Sequence, residues 1–300
     1  MAHPNGEYIY IIRGGKTLEI SDMVKYHVIE FDGLGMAPLH RIGQRGPMQD
    51  GVTDVGYRLD PRTILLSIMA YAATPAQFHD RRQELIEILK PGKTITLKWI
   101  FATSSGARTR CIDCHCTGGL SLPSSGMIQQ AFNDVVQLYA PDPTFYDPEL
   151  TTVLPTSLYS AAGFTVPTVV PTSFGVTSIL ETIVFNHSDP GAWDIYPVAT
   201  IKGPYTNCQI ANQGTIDWPS GNGVINSGIA IAAGKTITID FRYGAKSFLD
   251  EAGASVLDKW AGDKATFKIA PGENSLRFFM AGIDSNTRIY LQFNKRYIGL

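Results

Sequence analysis

The sequence predicts a mainly β protein of two domains: an N-terminal β-rich domain with one α-helix, followed by a C-terminal β-sandwich or jelly roll. Three observations predict it. Twenty-nine glycines and eighteen prolines in 300 residues impose frequent turns, which favours short strands over long helices. Apolar residues alternate with period two along most of the chain, and one segment has helical spacing instead. The stretch "APDPTFYDPE" sets three prolines among aspartates, a stiff turn that closes a domain. The expected division is 1–150, a linker or entry strand over 151–178, and a sandwich over 179–300.

The N-terminal elements come first. "EYIYIIRGG", "KYHVIEFDG" and, after a glycine-rich stretch, "TILLSIMAY" read as strands with turns between them. In "TPAQFHDRRQELIEILKPG" Thr74 can N-cap, Pro75 takes the first helical position and Gln77 completes a capping box. Phe78, Leu85 and Leu89 share one face of this helix, about 74–90, which Pro91-Gly92 ends. A hairpin follows. Ile95, Leu97, Trp99 and Phe101 alternate with polar residues, "TSSGAR" turns the chain, and "TRCIDCHC" returns. "MIQQAFNDVVQLYA" fits either a strand or a short helix.

Residues 151–178 are rich in Thr, Ser and Pro and nearly uncharged, as a linker would be. Beyond them "KTITIDFRYG" places Ile237, Ile239, Phe241 and Tyr243 on one face. "ATFKIAPGENSLRFFMAG" reads as two strands around a Pro-Gly turn, and "TRIYLQFNKRYIGL" alternates Ile289, Leu291 and Phe293.

"CIDCHCTGG" is the stretch that most resembles chemistry, with Cys111, Cys114, Cys116 and His115 within six residues. On an extended strand Ile112, Cys114 and Cys116 face one way, and Cys111, Asp113 and His115 the other. A tetrahedral metal site needs four converging ligands, commonly from two separated pairs. Here the ligand types divide between two faces, and Cys208 lies far off in the other half. The better reading is core sulfur behind Ile95 and Leu97, with Cys111 on the side where substitution is mild.

Other chemistry is weaker still. The chain has no GxSxG, HExxH, GxxxxGK[ST] or strand-following GxGxxG. Asp50 with Asp54, or Asp60 with Glu84, would be a glycosidase pair only at a fixed separation across a groove. Arg81 and Arg82 read as a solvated or subunit-facing charge patch. Trp193, Trp218 and Trp260 read as core or loop anchors before they read as a sugar platform. A net charge of −2 gives no field to draw in nucleic acid. No signal peptide or membrane-length apolar run is read, and four unspaced cysteines fit a reducing cytoplasm. The expectation is no catalytic, cofactor-binding or metal-ligating residue.

The order of features adds a further reading. A short β-rich start precedes "YRLDPRTILLSIMA"; the capped helix, the hairpin and the closure "LYAPDPTFYDPE" follow. A sandwich then carries "PGENSLRFFMAG" near its end and "KRYIGL" as its tail. In this order and spacing the chain resembles, over nearly its whole length, the distal tail proteins of siphophages, the siphovirus tail component family. The Pro-Asp-Pro closure is the strongest mark.

The resemblance implies a structural protein of the virion, made in the host cytoplasm, with a galectin-like C-terminal sandwich. It implies a homo-hexameric ring at the tail tip, built by the N-terminal domain. The tail tube protein would lie above the ring and a tail-tip or tail-associated lysin protein below it. Receptor-binding proteins are further partners, and DNA passes through the lumen without specific binding. "EYIYII" and "YHVIEF" are then candidate open edges for a neighbouring subunit. The competing readings are a carbohydrate-binding β-sandwich protein and, behind it, a hydrolase.

Overall fold

The computed structural model describes residues 6–120, 131–155, 164–165, 173–174, 178–213, 223–262 and 264–300. Contacts divide the chain into two units, Met1–Pro148 with Tyr297–Leu300, and Glu149–Arg296. Among the described residues no helix is long and apolar enough to cross a membrane.

The first unit begins with β1 (Tyr8–Arg13), β2 (Lys16–Glu19), β3 (Tyr26–Asp32), β4 (Leu39–Gln44), β5 (Thr53–Leu59) and β6 (Arg62–Tyr71). The helix α1 (Pro75–Leu89) and strands β7 (Ile95–Thr103), β8 (Gly106–Gly119) and β9 (Ala131–Ala140) follow. Two antiparallel sheets share β8. Its first part, Gly106–Cys114, pairs with β7 in the order β2-β1-β7-β8. Its end, His115–Gly119, pairs with β9 in the order β3-β6-β9-β8. The change of partner closes at Gly119, where φ is +86° and an added Cβ would stand 1.9 Å from the Val135 carbonyl oxygen. Only glycine fits there.

Apolar residues of both sheets and of α1 fill one core, including Ile11, Ile64, Leu66, Leu85, Ile95, Ile112 and Val136. Thr74 accepts a hydrogen bond from the Gln77 N–H at 3.3 Å, and the Gln77 side chain accepts from Ala73 at 3.1 Å, one residue earlier than a strict capping box. The helix buries Ile88 beside Phe78, Leu85 and Leu89. Arg13 donates to the Glu87 and Ile88 carbonyls at 2.9 and 3.0 Å, so β1 satisfies two of the orphan acceptors at the helix end.

Two expectations fail in this unit. "EYIYII" is no open edge, because β1 is paired with β2 on one side and β7 on the other. The segment read as a glycine-rich stretch contains a hairpin, β4-β5, which pairs with nothing else among the described residues. "AFNDVVQLYA" is strand; residues 127–130 lie outside the described residues.

The strand β10 (Phe145–Val153) carries the chain from the first unit into the second. Most of 151–178 lies outside the described residues; within it Thr151–Val153 complete β10, and β11 (Phe164–Thr165) pairs with β12 (Ser173–Phe174). The second unit continues with β13 (Ser178–His187), β14 (Ala192–Trp193), β15 (Val198–Lys202), β16 (Asn207–Asn212) and β17 (Gly223–Ser227). It ends with β18 (Thr236–Asp240), β19 (Ser247–Asp250), β20 (Trp260–Gly262), β21 (Gly272–Ala281) and β22 (Arg288–Tyr297). One antiparallel sheet runs β19-β18-β15-β22 and the other β13-β21-β16-β17-β20. Ile201, Ile239 and Leu291 of the first meet Ile210, Phe278 and Met280 of the second in one core, which makes a sandwich.

Alternation overreached at two places in the sandwich. Tyr243 is exposed, because β18 ends at Asp240, whose carboxylate accepts from the Arg242 backbone N–H at 2.9 Å and its guanidinium at 2.6 Å. That local turn breaks the period. "ATFKIA" is no strand but a single bridge, Ile195 to Ile269. The turn after it is held by buried Asn274, which bonds the Ala270 N–H and carbonyl and the Gly272 carbonyl at 2.8 to 3.0 Å.

One buried cation ties the first unit together. Arg62 is 1% exposed, in phase with Ile64 and Leu66 on β6. Its guanidinium donates to the carbonyls of Pro143, Gly33, Gly35 and Ile298 at 2.6 to 2.9 Å, and it lies 4.9 Å from the Phe145 ring centre. Replacing Arg62 with Met is expected to cost about 3 kcal/mol in chemical denaturation, because several carbonyls lose a charged donor. Arg62→Lys should recover only part, since an ammonium cannot span the same fork. Loss of less than about 1 kcal/mol in Arg62→Met would contradict this role.

Candidate functional site

The cysteine stretch is placed by its register. Cys114 lies opposite Ile95 and Ile112 opposite Leu97, and Cys114 is fully buried in the core with Cys116 packed at its margin. His115 is exposed on the opposite face. Asp113 accepts from the Thr96 hydroxyl at 2.6 Å and the Tyr146 hydroxyl at 3.0 Å. Among the described residues no group of three His, Cys, Asp or Glu is placed to hold a metal. Cys111 departs from expectation: it is buried on the far face, 3% exposed, because Tyr146 of β10 pairs against it there. Burial pushes the Cys111 thiol up to about 11 and the Cys114 thiol up to about 12. Such groups stay protonated, unlike the thiolates that attack or ligate.

The other candidates are engaged separately. Asp54 pairs with Arg41 at 2.5 Å, Asp60 with Arg58 at 3.5 Å, and Glu84 accepts from the Tyr26 hydroxyl at 2.7 Å. Asp50 is exposed near the tip of the β4-β5 hairpin. Arg81 and Arg82 are half-buried and lie over the Tyr26 and Phe78 rings, both at 5.7 Å. Arg81 edges a shallow polar groove with Lys16, Asp80 and Glu87. Trp260 is buried in the sandwich core, Trp193 is half-buried, and Trp218 lies outside the described residues. These positions do not assemble a sugar platform from Trp260.

The first unit leaves sheet margins uncovered, as β13 and β20 do at the margins of the second. Among the described residues β3 is paired only with β6, and the His115–Gly119 end of β8 only with β9. Both margins of the β3-β6-β9-β8 sheet therefore offer backbone groups. Its outward face carries Glu30 and Asp32 on β3, Leu65, Ser67 and Met69 on β6, and Val135, Gln137 and Tyr139 on β9. No lysine or arginine stands among the described outward positions of these four strands. Sequence reasoning found β3 but missed the face, whose sign depends on which residues the bulge after Val28 turns outward.

No protein-family model and no curated protein matches the chain. Solved structures do. The chain is similar to the SPP1 Dit protein, described as a paradigm of the hub adsorption apparatus in phages infecting Gram-positive bacteria. That match has a TM-score of 0.61 at 11% identity, covering 96% of this chain and 99% of that one. It is also similar to a chain of the phage P2 baseplate in its activated conformation with Ca, with a TM-score of 0.51 at 11% identity, covering 98% of this chain and 99% of that one. The fold is that of a siphophage distal tail protein over nearly the whole chain.

The thiols generate a pH prediction. Both titrate above their ordinary value of 9.0 when folded, so the stability they contribute is complete below pH 9 and lost as pH rises towards 12. Denaturation from pH 8 to 11 should show a declining stability whose slope is shallower in Cys114→Ala. Cys114→Ser and Cys111→Ser should each cost about 1 to 3 kcal/mol, the scale of a buried hydroxyl without a good partner. Elemental analysis after purification without chelator should find zinc far below stoichiometry; one zinc per chain would overturn the reading of this stretch.

Proposed function

We propose that this protein is a structural adaptor of the phage tail tip that works as a closed homo-hexameric ring, joining the tail tube to the adhesion apparatus, and not an enzyme. The carrying observation is the sheet β3-β6-β9-β8, whose two margins are both open among the described residues. A head-to-tail contact repeated by rotation closes into a ring. Pairing β3 of one copy with the β8 margin of the next would extend the sheet around such a ring. The fold likeness to the SPP1 hub protein and the phage P2 baseplate chain supports the place in the tail. The number six comes from the sequence resemblance.

On this reading the outward face of the sheet lines the lumen. With Glu30 and Asp32 and no described lysine or arginine, it gives DNA no phosphate contacts to hold it, so the duplex slides. The second unit would carry the contacts to the lysin and receptor-binding proteins.

Light scattering of the full chain at micromolar concentration should give a mass near six times the monomer, and negative stain should show six-fold rings. A monomer at every concentration would contradict the reading. Fluorescence anisotropy with duplex DNA at near-physiological salt should show no binding. Affinity that falls steeply with salt would place cations in the lumen and overturn its assignment.

A further inference from the structure

The second unit has an outer sheet face as well as an inner one. On β21 the fully buried Leu276, Phe278 and Met280 point into the core, so Arg277 and Phe279 stand on the outer side, both half-buried. Register sets Leu180 of β13 on one side of Phe279 and Gln209 of β16 on the other, with Asn226 of β17 next in the same row. Thr182 of β13 lies opposite Arg277 in the neighbouring row. At the usual strand spacing and rise, Gln209 is about 5 Å, Arg277 about 7 Å and Asn226 about 10 Å from Phe279, backbone to backbone. An aromatic ring is thus bordered by amides, a guanidinium and a hydroxyl on a single face.

The fold does not use these polar groups. Among the described residues no hydrogen bond or ion pair engages the side chains of Thr182, Gln209, Asn226 or Arg277. We propose that this face binds a neutral hexopyranose unit of a polysaccharide, a site beyond the adaptor role. Phe279 stacks on the C–H face of the sugar, which the negative face of its ring attracts. Gln209 and Asn226 each offer a donor and an acceptor, which suits hydroxyls that both give and take, and Arg277 adds donors only. Charge selects a neutral ligand. Arg277 and Glu273 are the charged residues among the described outward positions of these five strands, one of each sign. A phosphate polymer needs several cations along its track, and this face supplies one. A mixed set of few polar groups around an aromatic surface is the composition of a small-molecule site. The site stands whether or not copies assemble; repeated around a ring, weak single contacts become a firm hold.

The test uses the full chain and three neutral sugars, lactose, cellotriose and maltotriose, in ligand-observed NMR. Saturation transfer to the C–H protons of at least one sugar is expected, with a Kd of about 1 mM. Phe279→Ala should weaken binding about tenfold or more. Asn226→Ala with Arg277→Ala removes no contact of the fold, so the thermal midpoint should not move while binding weakens to a similar degree. That pair decides the matter if Phe279→Ala melts early. Absence of transfer from all three sugars overturns the proposal, and so does binding that the double variant leaves unchanged. A chain that binds sugar but stays monomeric at every concentration keeps this site and loses the ring.

Discussion

The first unit depends on a cation buried without a carboxylate. Arg62 enters the core on the inward phase of β6, where alternation calls for an apolar residue, and it trades water for four backbone carbonyls. Burial lowers its proton affinity, yet an arginine stays charged under these conditions. Its planar fork joins places far apart in sequence: the turn at Gly33–Gly35, the closure at Pro143 and the tail at Ile298. Arg110, also buried, stacks 3.3 Å from the centre of the Tyr297 ring, and Leu300 donates to the Leu34 carbonyl at 3.2 Å. The sequence marks "PDP" and "RYIGL" thereby acquire a physical reason. Both are ends gathered near one guanidinium.

That clasp decides what the rest of the unit can do. By fixing Gly33 and Gly35 it sets where the chain departs after β3, and so where the hairpin is rooted. Gly33 itself, at φ +86°, would carry a Cβ only 2.2 Å from the Thr63 carbonyl oxygen, so the turn lies flush on β6. The core side of the β3-β6-β9-β8 sheet is saturated with apolar contacts, while its margins and the hairpin are not. Interior order and exterior incompleteness come from the same residues.

Much of the fold was legible because period two and helical spacing report one buried face. Thr74, Pro75 and Gln77 marked the helix start, and Ile95, Leu97 and Ile112 marked the hairpin that carries the cysteines. The signal failed where burial and pattern part company. Tyr243 keeps the phase of Phe241 but lies past a turn that Asp240 makes with Arg242. Cys111 sits on the phase that ought to be exposed, covered by a strand more than thirty residues later. Arg62 was in phase with Ile64 and Leu66, and that coincidence was the available clue to its burial. The hairpin had no inward face at all, so alternation could not announce it; Gly46-Pro47 and Asp50-Gly51 between its strands signalled only a turn. Of the two strands read as candidate open edges only β3 has a free side among the described residues, since an open edge is a property of pairing and not of composition.

Hydrogen–deuterium exchange of the full chain, compared above and below its assembly concentration, tests most directly whether copies meet through the first unit. The account predicts new protection at Tyr26–Asp32 and His115–Gly119, with β1 unchanged because both its sides are already paired. Protection confined to strands of the second unit, with β3 and the β8 margin exchanging as freely as in the dilute chain, would contradict it.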